Sequence, residues 1–537
     1  MDTPVSSSSW RPAAVLAAIT FAVFAPTLSA GFVYDARLQI LTDPFPHDPR
    51  NWPAVLSFAV LGMDVLDFNR PVHLASIMLD AAIWGRRPVG YHLTSILLHC
   101  GNVVLLWLVL RDVLPRGGRA DGAGPPPVAS DAASDVAACA GALVFAVHPV
   151  VAEAVCEPTF REDLLVAAFT LGAVVLATRG VGLRRALGCA ACCFLACASK
   201  ESGIAAPLVL AAYWWLFRRG EPGRFWAVAV GGGKAAALAF LAARFLLAPA
   251  TSRIFESQPA YPGGSFATAL ALEPRILALY AQLVVCPVNL CADYGIASVW
   301  HLPLWLALAI VVALAAALAR AGWRDRRVGF GVALLILPLL PVSNLVPIYR
   351  AAADRYLYLP LAGVGVILAC GVAAIWTRLP RDRRPVGLAA GAVVLGLLAW
   401  GCSVRQRVWG DSLALWLDAS ARNPGSYTAV NGLSGALRDV GDFANAERAA
   451  RHALVLSGSS RGDTWVALAL ALDGQGRAAE ADEAIAKALE QDARLSDPDS
   501  RVAALAMERD EADALAKLLA RRAPAPAAET RETPDTP

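Results

Sequence analysis

Charged side chains at the edges of hydrophobic runs are the residues of this chain that are best suited to chemistry. They come from distant segments, and the positive-inside rule places them all on the non-cytoplasmic face of a membrane: Asp35, Arg70, Glu153, Arg161, Glu162, Asp163, Lys200, Glu201, Asp293, Asp354 and Arg355. Charges at a membrane boundary cost free energy and tend to line cavities or substrate paths. The pattern predicts an active site that faces away from the cytoplasm.

Asp35 directly follows the first hydrophobic run. A carboxylate at the mouth of a membrane cavity can act as a general base towards a hydroxyl group, although a helix-end charge gives the same local pattern. Arg70 offers phosphate oxygens a fork of donors, or else forms a salt bridge to Asp64 or Asp67. These two residues are the first candidates for catalysis and for phosphate binding.

A second group of candidates surrounds the next helix start. His148 and Glu153 approach the same face, and Arg161, Glu162 and Asp163 begin the returning helix. The three consecutive charges either bind substrate or act as caps and dipole partners. Carboxylate oxygens suit divalent cations, so Glu162 and Asp163 are weak candidates for a metal site. No cofactor is otherwise expected.

The remaining candidates lie further along the chain. Lys200 and Glu201 form a tight turn in which they either neutralise each other or meet an anionic lipid head group. Asp293 precedes a tyrosine, and Arg355 enters the membrane beside Tyr356, a pattern that also fits interfacial anchoring. By contrast, His99 and Asn102 lie one turn apart in an apolar helix and are expected to bond a neighbouring helix.

The composition indicates the class of protein. Of 537 residues, 57% are hydrophobic and 17% are charged, whereas soluble proteins carry about 25% charged residues. The chain is therefore expected to be an integral membrane protein. A net charge of +3 gives no reason to expect binding to nucleic acid. Hydrophobic runs of suitable length number about eleven.

Short arginine-rich loops near residues 111–119, 179–185, 218–224, 320–327 and 378–384 fall on one side if the N-terminus is cytoplasmic. An odd number of spans then places the C-terminal region outside. Residues 276–290 would break the alternation, so they are expected to be re-entrant or interfacial. The arginine-rich, lysine-poor composition favours a bacterial inner membrane with a periplasmic C-terminal part.

Three regions complete the predicted organisation. The membrane domain covers residues 1–402, with non-cytoplasmic loops at 34–93 and 248–301 and a flexible linker at 116–135. Residues 403–521 carry an alanine-rich pattern that repeats after about 35 residues, close to the tetratricopeptide period. Residues 522–537 are expected to be disordered. The repeats predict a short α-solenoid that binds a protein.

Taken in order, these motifs resemble the transmembrane and tetratricopeptide-repeat O-mannosyltransferase family. The residues that carry the resemblance are Phe32–Asp35, Arg70–Pro71, Gly90–Leu93 with His99 and Asn102, Ala146–Pro149 with Glu153 and Arg161, Lys200–Gly203, Asp293–Tyr294 and Arg355–Pro360. The resemblance implies an all-α membrane bundle of the GT-C glycosyltransferase type followed by the repeats. It also implies transfer of a mannose-like sugar from a polyprenyl-phosphate carrier to a hydroxyl acceptor, a protein, outside the cytoplasm.

By this resemblance Asp35 occupies the catalytic acidic position. Family members commonly show two acidic residues there, whereas this chain has Ala36 in the second place. Arg355, Lys200 or Arg161 would stabilise the leaving phosphate. Two alternatives stay open: a catalytically silent membrane scaffold whose repeats bind a partner, and a transporter of a lipid carrier.

Overall fold

The computed structural model describes residues 10–116, 131–248, 261–295, 299, 301–497 and 509–522. Helices and turns make up these ranges, without a β-strand in any of them, so the all-α prediction is confirmed. The chain forms two compact units, residues 1–423 and 424–537. Most of the predicted linker (117–130), part of the second long loop (249–260) and the tail (523–537) lie outside the described residues.

The first unit consists of helices joined by single turns and irregular helical segments. They are α1 (Arg11–Phe24), α2 (Trp52–Leu56), α3 (Pro71–Trp84), α4 (Pro88–Val113), α5 (Asp131–Val147), α6 (Ala152–Cys156), α7 (Arg161–Thr178), α8 (Leu183–Ser199), α9 (Ala206–Tyr213), α10 (Gly223–Trp226), α11 (Gly233–Leu247), α12 (Phe266–Val285), α13 (Leu304–Arg324), α14 (Arg326–Ile336), α15 (Tyr358–Arg378), α16 (Arg384–Val408) and α17 (Ser412–Arg422).

Long apolar helices make this unit a multi-pass membrane protein. Seven helices of the described residues are long and apolar enough to cross a membrane: Arg11–Ser29, Pro88–Val113, Gly223–Leu247, Phe266–Val285, Leu304–Arg324, Asp354–Arg378 and Arg381–Val408. A pair bent by 48°, Ala132–Val147 with Pro149–Cys156, would make an eighth. In the apolar stretch of α13, and likewise in that of α16, only 6% of the residues are buried. This is expected of helices that face lipid.

This count is lower than the eleven or so spans expected from hydrophobic runs, because several runs do not form long apolar helices. Helix α8 has 17 residues, α14 has 11 and α9 has 8, whereas a full span needs about 20. Helix α7 has 18 residues but begins with three charges. Conversely, residues 276–285, expected to be re-entrant or interfacial, belong to the regular 20-residue helix α12.

Glycines let the core helices pack at the level of their backbones. A Cβ atom added to Gly141 of α5 would lie 2.4 Å from the carbonyl oxygen of Gly365 in α15, and Gly331 of α14 meets Gly363 in the same way. Small residues permit such close helix contacts in membranes. This packing places the end of α5 beside the start of α15, where charged motifs of both helices meet.

The polar pair in α4 joins two helices, as the sequence predicts. His99 lies 2.7 Å from the hydroxyl oxygen of Tyr358 through Nδ1, and the Asn102 amide donates to the same hydroxyl at 3.1 Å. All three side chains are fully buried. Interhelical hydrogen bonding is confirmed as their role, and α4 is thereby fixed against α15.

The second unit contains α18 (Tyr427–Asp439), α19 (Phe443–Leu456), α20 (Gly462–Gly474), α21 (Ala478–Gln491) and α22 (Arg509–Arg522). The pair α20–α21 repeats the pair α18–α19 after about 35 residues, the spacing expected from the sequence. Ala450, Leu468 and Ile485 lie in one buried cluster. The unit is thus built of helix pairs, and its assignment to the tetratricopeptide class stays a prediction.

The division between the units falls after Asn423, later than the boundary expected at Cys402. Helix α16 continues beyond Cys402 to Val408, and Arg405 in its last turn donates to Asp418 of α17 at 2.7 Å. Helix α17, assigned from sequence to the repeat region, therefore belongs to the first unit.

Candidate functional site

A strained turn carries Asp35. Tyr34 has a φ of 52°, in the left-handed region that non-glycine residues rarely adopt. The turn is closed by the Ala36 amide, which donates to the Val33 carbonyl oxygen at 3.1 Å. Asp35 is exposed and makes no hydrogen bond or ion pair with any described residue. Strain of this kind persists only where surrounding contacts fix the backbone, and it is frequent at functional sites.

Asp35 and Ala36 point to different surroundings. The Ala36 side chain is fully buried and packs in an apolar cluster with Ile40, Ile77 and Tyr91. A larger or charged side chain at position 36 would have to enter this cluster. Within the described part of the turn, Asp35 alone therefore presents a carboxylate to open space.

Among the cations that lower the pKa of Asp35, Arg355 has the largest effect. It pairs with Glu153 through its guanidinium group, while the Arg355 backbone amide donates to the second Glu153 oxygen at 3.0 Å. The guanidinium carbon lies 4.0 Å from the centre of the Phe160 ring. Glu153 is 1% exposed. The Glu153 carboxylate and the Phe160 ring hold Arg355 in place. The region around Asp35, Arg355, Lys200 and Arg70 is called the cleft.

Lys200 occupies the middle of a second set of ion pairs. Its Nζ lies 2.9 Å from Glu162 and 2.6 Å from Asp163, and 5.5 Å from the centre of the Tyr356 ring. The three charged side chains are largely buried. Glu162 and Asp163, the weak metal candidates, thus both contact an ammonium group. Across the described ranges, no three His, Cys, Asp or Glu side chains converge as metal ligands.

Arg70 connects these ion pairs to the loop before α3 and to the turn after α8. It pairs with Glu162, lies 3.3 Å from Glu201 and 3.4 Å from Asp67, and its side chain is 25% exposed. Glu201 in turn lies 2.7 Å from Arg244 of α11. Most charged groups here have more than one partner, which is the arrangement that lets buried charges persist. Among the candidate cations, Arg70 has the most exposed side chain.

Two side chains that the sequence gave no reason to select complete the surroundings of Asp35. Arg350 pairs with Asp293 and lies 5.8 Å from the centre of the Tyr34 ring. Trp416 of α17 stacks on Tyr34, with ring centres 5.3 Å apart. Trp416 escaped notice because its helix was assigned to the repeats. In the sequence, Trp416 looks like any other apolar residue of an amphipathic helix, so nothing there indicates that it contacts Tyr34.

A further buried chain of polar groups runs behind Arg355. The hydroxyl group of Tyr294 donates to Asp354 at 2.5 Å, and Arg405 lies 3.9 Å from Asp354 and 2.7 Å from Asp418. Asp354, expected at the same membrane face, is 1% exposed. These contacts fix the turn that presents Arg355.

The structure does not bring two of the predicted residues to the cleft. Arg161 is 0% exposed. Its guanidinium group is committed to Asp80 at 2.6 Å, to Ser76 and to the Tyr91 carbonyl oxygen. His148 is buried and lies within hydrogen-bond distance of the Val284 carbonyl oxygen, at 3.1 Å. Both side chains fasten helices together.

The electrostatic environment favours a proton acceptor at Asp35. The protein around the cleft displaces water and raises the pKa of Asp35 above its usual value, while Arg355 and Arg350 oppose this rise. Exposure of the side chain to the cleft moderates the change. Burial likewise raises the pKa of Asp67 to about 7, against the pull of Arg70. A carboxylate with a raised pKa accepts protons more readily near neutral pH.

Comparison with known proteins confirms the resemblance that the motifs predict. The chain is 29% identical over 395 residues to protein O-mannosyl-transferase TMTC4 of Mus musculus, covering 62% of this chain and 51% of that one. It is 26% identical over 444 residues to protein O-mannosyl-transferase Tmtc3 of Drosophila melanogaster, covering 70% and 47%. The chain thus spans about half the length of these curated relatives. No protein-family model matches it.

One solved structure is also similar. The crystal structure of ArnT from Cupriavidus metallidurans bound to undecaprenyl phosphate aligns over 89% of this chain and 80% of that chain, at 15% sequence identity and a TM-score of 0.39. The relationship to the O-mannosyl-transferases rests on the sequence matches.

Proposed function

We propose that this chain, a relative of the protein O-mannosyl-transferases, is a membrane glycosyltransferase that uses a polyprenyl-phosphate-linked, mannose-like sugar. The acceptor is a hydroxyl group, most simply of a protein, on the non-cytoplasmic side of a bacterial inner membrane. The N-terminus then lies in the cytoplasm and the helix pairs of the second unit lie in the periplasm, where they bind the acceptor or another protein.

The observation that carries this proposal is the state of Asp35. It is the exposed, unpaired carboxylate of the described cleft, and the cations that act on it most strongly, Arg355 and Arg350, are held by carboxylates of their own. A general base must reach the proton it removes and must not be committed to a salt bridge. Asp35 meets both requirements.

The proposed reaction is an inverting displacement. Asp35 removes the proton from the acceptor hydroxyl group while the hydroxyl oxygen forms a bond to the anomeric carbon. The bond between that carbon and the phosphate oxygen breaks, and its electron pair leaves with the polyprenyl phosphate. Charge develops on the phosphate oxygen, so nearby cations stabilise the transition state more than the ground state.

Arg70 and Arg355 are the cations best placed for the leaving phosphate. Arg70 is partly exposed and has a planar fork of donors that matches phosphate oxygens. Arg355 is the cation with the largest electrostatic effect on Asp35. Lys200 neutralises Glu162 and Asp163 behind Arg70, so we assign it to the positioning of Arg70 and of the two carboxylates.

An apolar groove beside the charged residues supports a lipid-linked donor. It has a volume of 490 Å³ and is lined by residues that include Phe58, Phe194 and Phe240. Helix α11 contributes one wall, and Arg244 of the same helix contacts Glu201 of the charged cluster. The groove is open to the surroundings and apolar, which suits a prenyl chain whose phosphate end is directed to the cations.

The test compares wild type with Asp35→Asn in membranes supplied with radiolabelled polyprenyl-phosphate mannose and periplasmic protein. Loss of a general base lowers the rate by about 10²–10⁴-fold, so we expect Asp35→Asn to label protein at a small fraction of the wild-type rate at equal expression. Asp64→Asn is the matched control, because Asp64 is also exposed in the same loop, and we expect it to retain the wild-type rate.

Other outcomes separate the alternatives. If wild type transfers no label from any of several polyprenyl-phosphate sugars, while the isolated membrane protein binds a periplasmic partner, the silent-scaffold reading replaces the transferase. Equal transfer by wild type and Asp35→Asn would keep the transferase and reject Asp35 as its base.

A further inference from the structure

Glu157 is a buried carboxyl group that nothing in the proposed mechanism uses. It is 0% exposed and follows α6 directly. No basic side chain of the described residues lies within salt-bridge distance of it, and its Oε2 atom is buried without a hydrogen-bond partner there. An isolated buried carboxylate would be very costly in free energy. The surroundings therefore favour the neutral acid, and burial raises the pKa of Glu157 well above its usual range.

The other oxygen of Glu157 contacts the turn that carries Asp35. Oε1 accepts a hydrogen bond from the Ala36 backbone amide at 3.0 Å and another from the Thr159 hydroxyl group at 2.7 Å. Ala36 directly follows Asp35. The same amide also donates to Val33, closing the turn in which Tyr34 is strained. Glu157 thus holds the backbone next to the proposed base, from a segment more than a hundred residues away.

We infer that Glu157 is a positioning residue: its uncharged carboxyl group fixes the Ala36 amide and thereby directs the Asp35 carboxylate into the cleft. This inference rests on the proposed function for its effect on rate, but its effect on the turn is independent of catalysis. Glu157 itself does not touch the reacting atoms. A base displaced by a fraction of an ångström or more loses much of its rate advantage, because proton transfer requires close approach.

Two substitutions separate this role from others. Glu157→Gln keeps an oxygen acceptor, a similar shape and no charge, whereas Glu157→Leu keeps the volume and removes the acceptor. We expect Glu157→Gln to retain kcat within about threefold of wild type and Glu157→Leu to lower kcat at least about tenfold. KM for the lipid-linked sugar should change less than about twofold in both variants, since neither touches the donor cations.

Hydrogen exchange gives a readout that needs no activity. We expect backbone amides of a peptide covering residues 31–40 to exchange faster in Glu157→Leu than in wild type and Glu157→Gln, because the tie to Ala36 is lost. If wild type transfers no sugar but this exchange pattern appears, the proposed function fails and the positioning role stands. If the exchange of the turn is unchanged in Glu157→Leu, the positioning role is wrong.

The remaining results also decide the question. If Glu157→Gln lowers kcat as much as Glu157→Leu, the ionised carboxylate is required and the inferred role of the neutral acid is overturned. If Glu157→Leu fails to accumulate in membranes, Glu157→Asp replaces it: the acid is retained, but the shorter side chain withdraws its oxygen from the Ala36 amide. We then expect Glu157→Asp to show the loss in kcat and the faster exchange, and wild-type behaviour would contradict the inference.

Discussion

Three consecutive residues at the start of α7 serve two different regions of the molecule. Arg161 turns inward, where it is fully buried and paired with Asp80. Glu162 and Asp163 turn towards the cleft and share Lys200, and Glu162 also meets Arg70. Arg161 and Asp80, the inner pair, share one ionic contact. The cleft cluster, made of Glu162, Asp163, Lys200 and Arg70, has several ionic contacts that share the same groups. The comparison suggests a rule for buried charges. A charge with a single ionic partner is needed for stability, whereas a charge whose partners have other partners can be spared for binding a ligand.

The largest expected effect is on the inner pair. Arg161→Met leaves Asp80 buried with the Thr94 hydroxyl group as its one remaining partner among the described residues, and breaking a buried pair from one side costs about 3–5 kcal/mol. We expect the free energy of unfolding of the purified protein to fall by this amount, with transfer activity per folded molecule nearly unchanged. Thermal unfolding in detergent measures the loss.

Removing both charges of the inner pair tests the reason for that loss. Arg161→Met combined with Asp80→Asn leaves no uncompensated buried charge, so we expect it to recover a large part of the stability lost by Arg161→Met alone. If Arg161→Met were stable but inactive, the distinction between the two regions would be wrong, because Arg161 would then take part in sugar transfer.

The next effect is in the cleft cluster, where we expect a small loss of stability and a larger loss of activity. In Arg70→Met, Glu162 keeps Lys200 and Glu201 keeps Arg244, so we expect a loss of stability below about 1 kcal/mol. A charge-assisted contact to phosphate contributes about 1.5–3 kcal/mol, so transfer should fall by roughly 10–100-fold. Initial rates of label transfer, normalised to folded protein, check this. Equal damage to stability in Arg70→Met and Arg161→Met would remove the distinction between the two regions.

The smallest expected effect is on the pH dependence of kcat, which should change in Arg70→Met and not in Arg161→Met. Burial raises the pKa of Asp35, and Arg70 is one of the cations that lower it. A base works only when deprotonated, so kcat falls as the pH drops through this pKa. Loss of Arg70 raises the pKa further, and we expect the acid limb of the kcat profile of Arg70→Met to move to higher pH by less than about one unit. Arg161→Met should leave the limb where it is in wild type.

The sequence led to the fold class because long apolar runs, basic loops and a repeat of about 35 residues are local signals. It did not give the number of spans, because hydropathy alone does not show where helices such as α8 and α14 end. Part of the candidate site was also accessible: Asp35, Arg70, Glu162, Lys200 and Arg355 all stand at ends of apolar runs, and the structure gathers them at one cleft.

Side-chain direction and long-range partners were beyond the reach of the sequence. Successive residues of a helix point about 100° apart, so Arg161 and Glu162, which look alike in sequence, have different partners in the structure. Glu157 was overlooked because its partner, the Ala36 amide, becomes a neighbour only in the folded chain. A carboxyl residue in an otherwise uncharged stretch, Ala154–Phe160, was the one available signal.

The turn of Asp35 has a consequence for the order in which the chain is made. The Gly31 amide donates to the Gly410 carbonyl oxygen at 3.1 Å, and Gln406 donates to the Val23 carbonyl oxygen at 3.0 Å. The segment that carries Asp35 is therefore tied to residues translated about 380 positions later. On a ribosome, the cleft cannot be completed until α16 has emerged and inserted. A nascent chain truncated before Gly410 thus passes through biogenesis without an assembled site, whatever lipids it meets on the way.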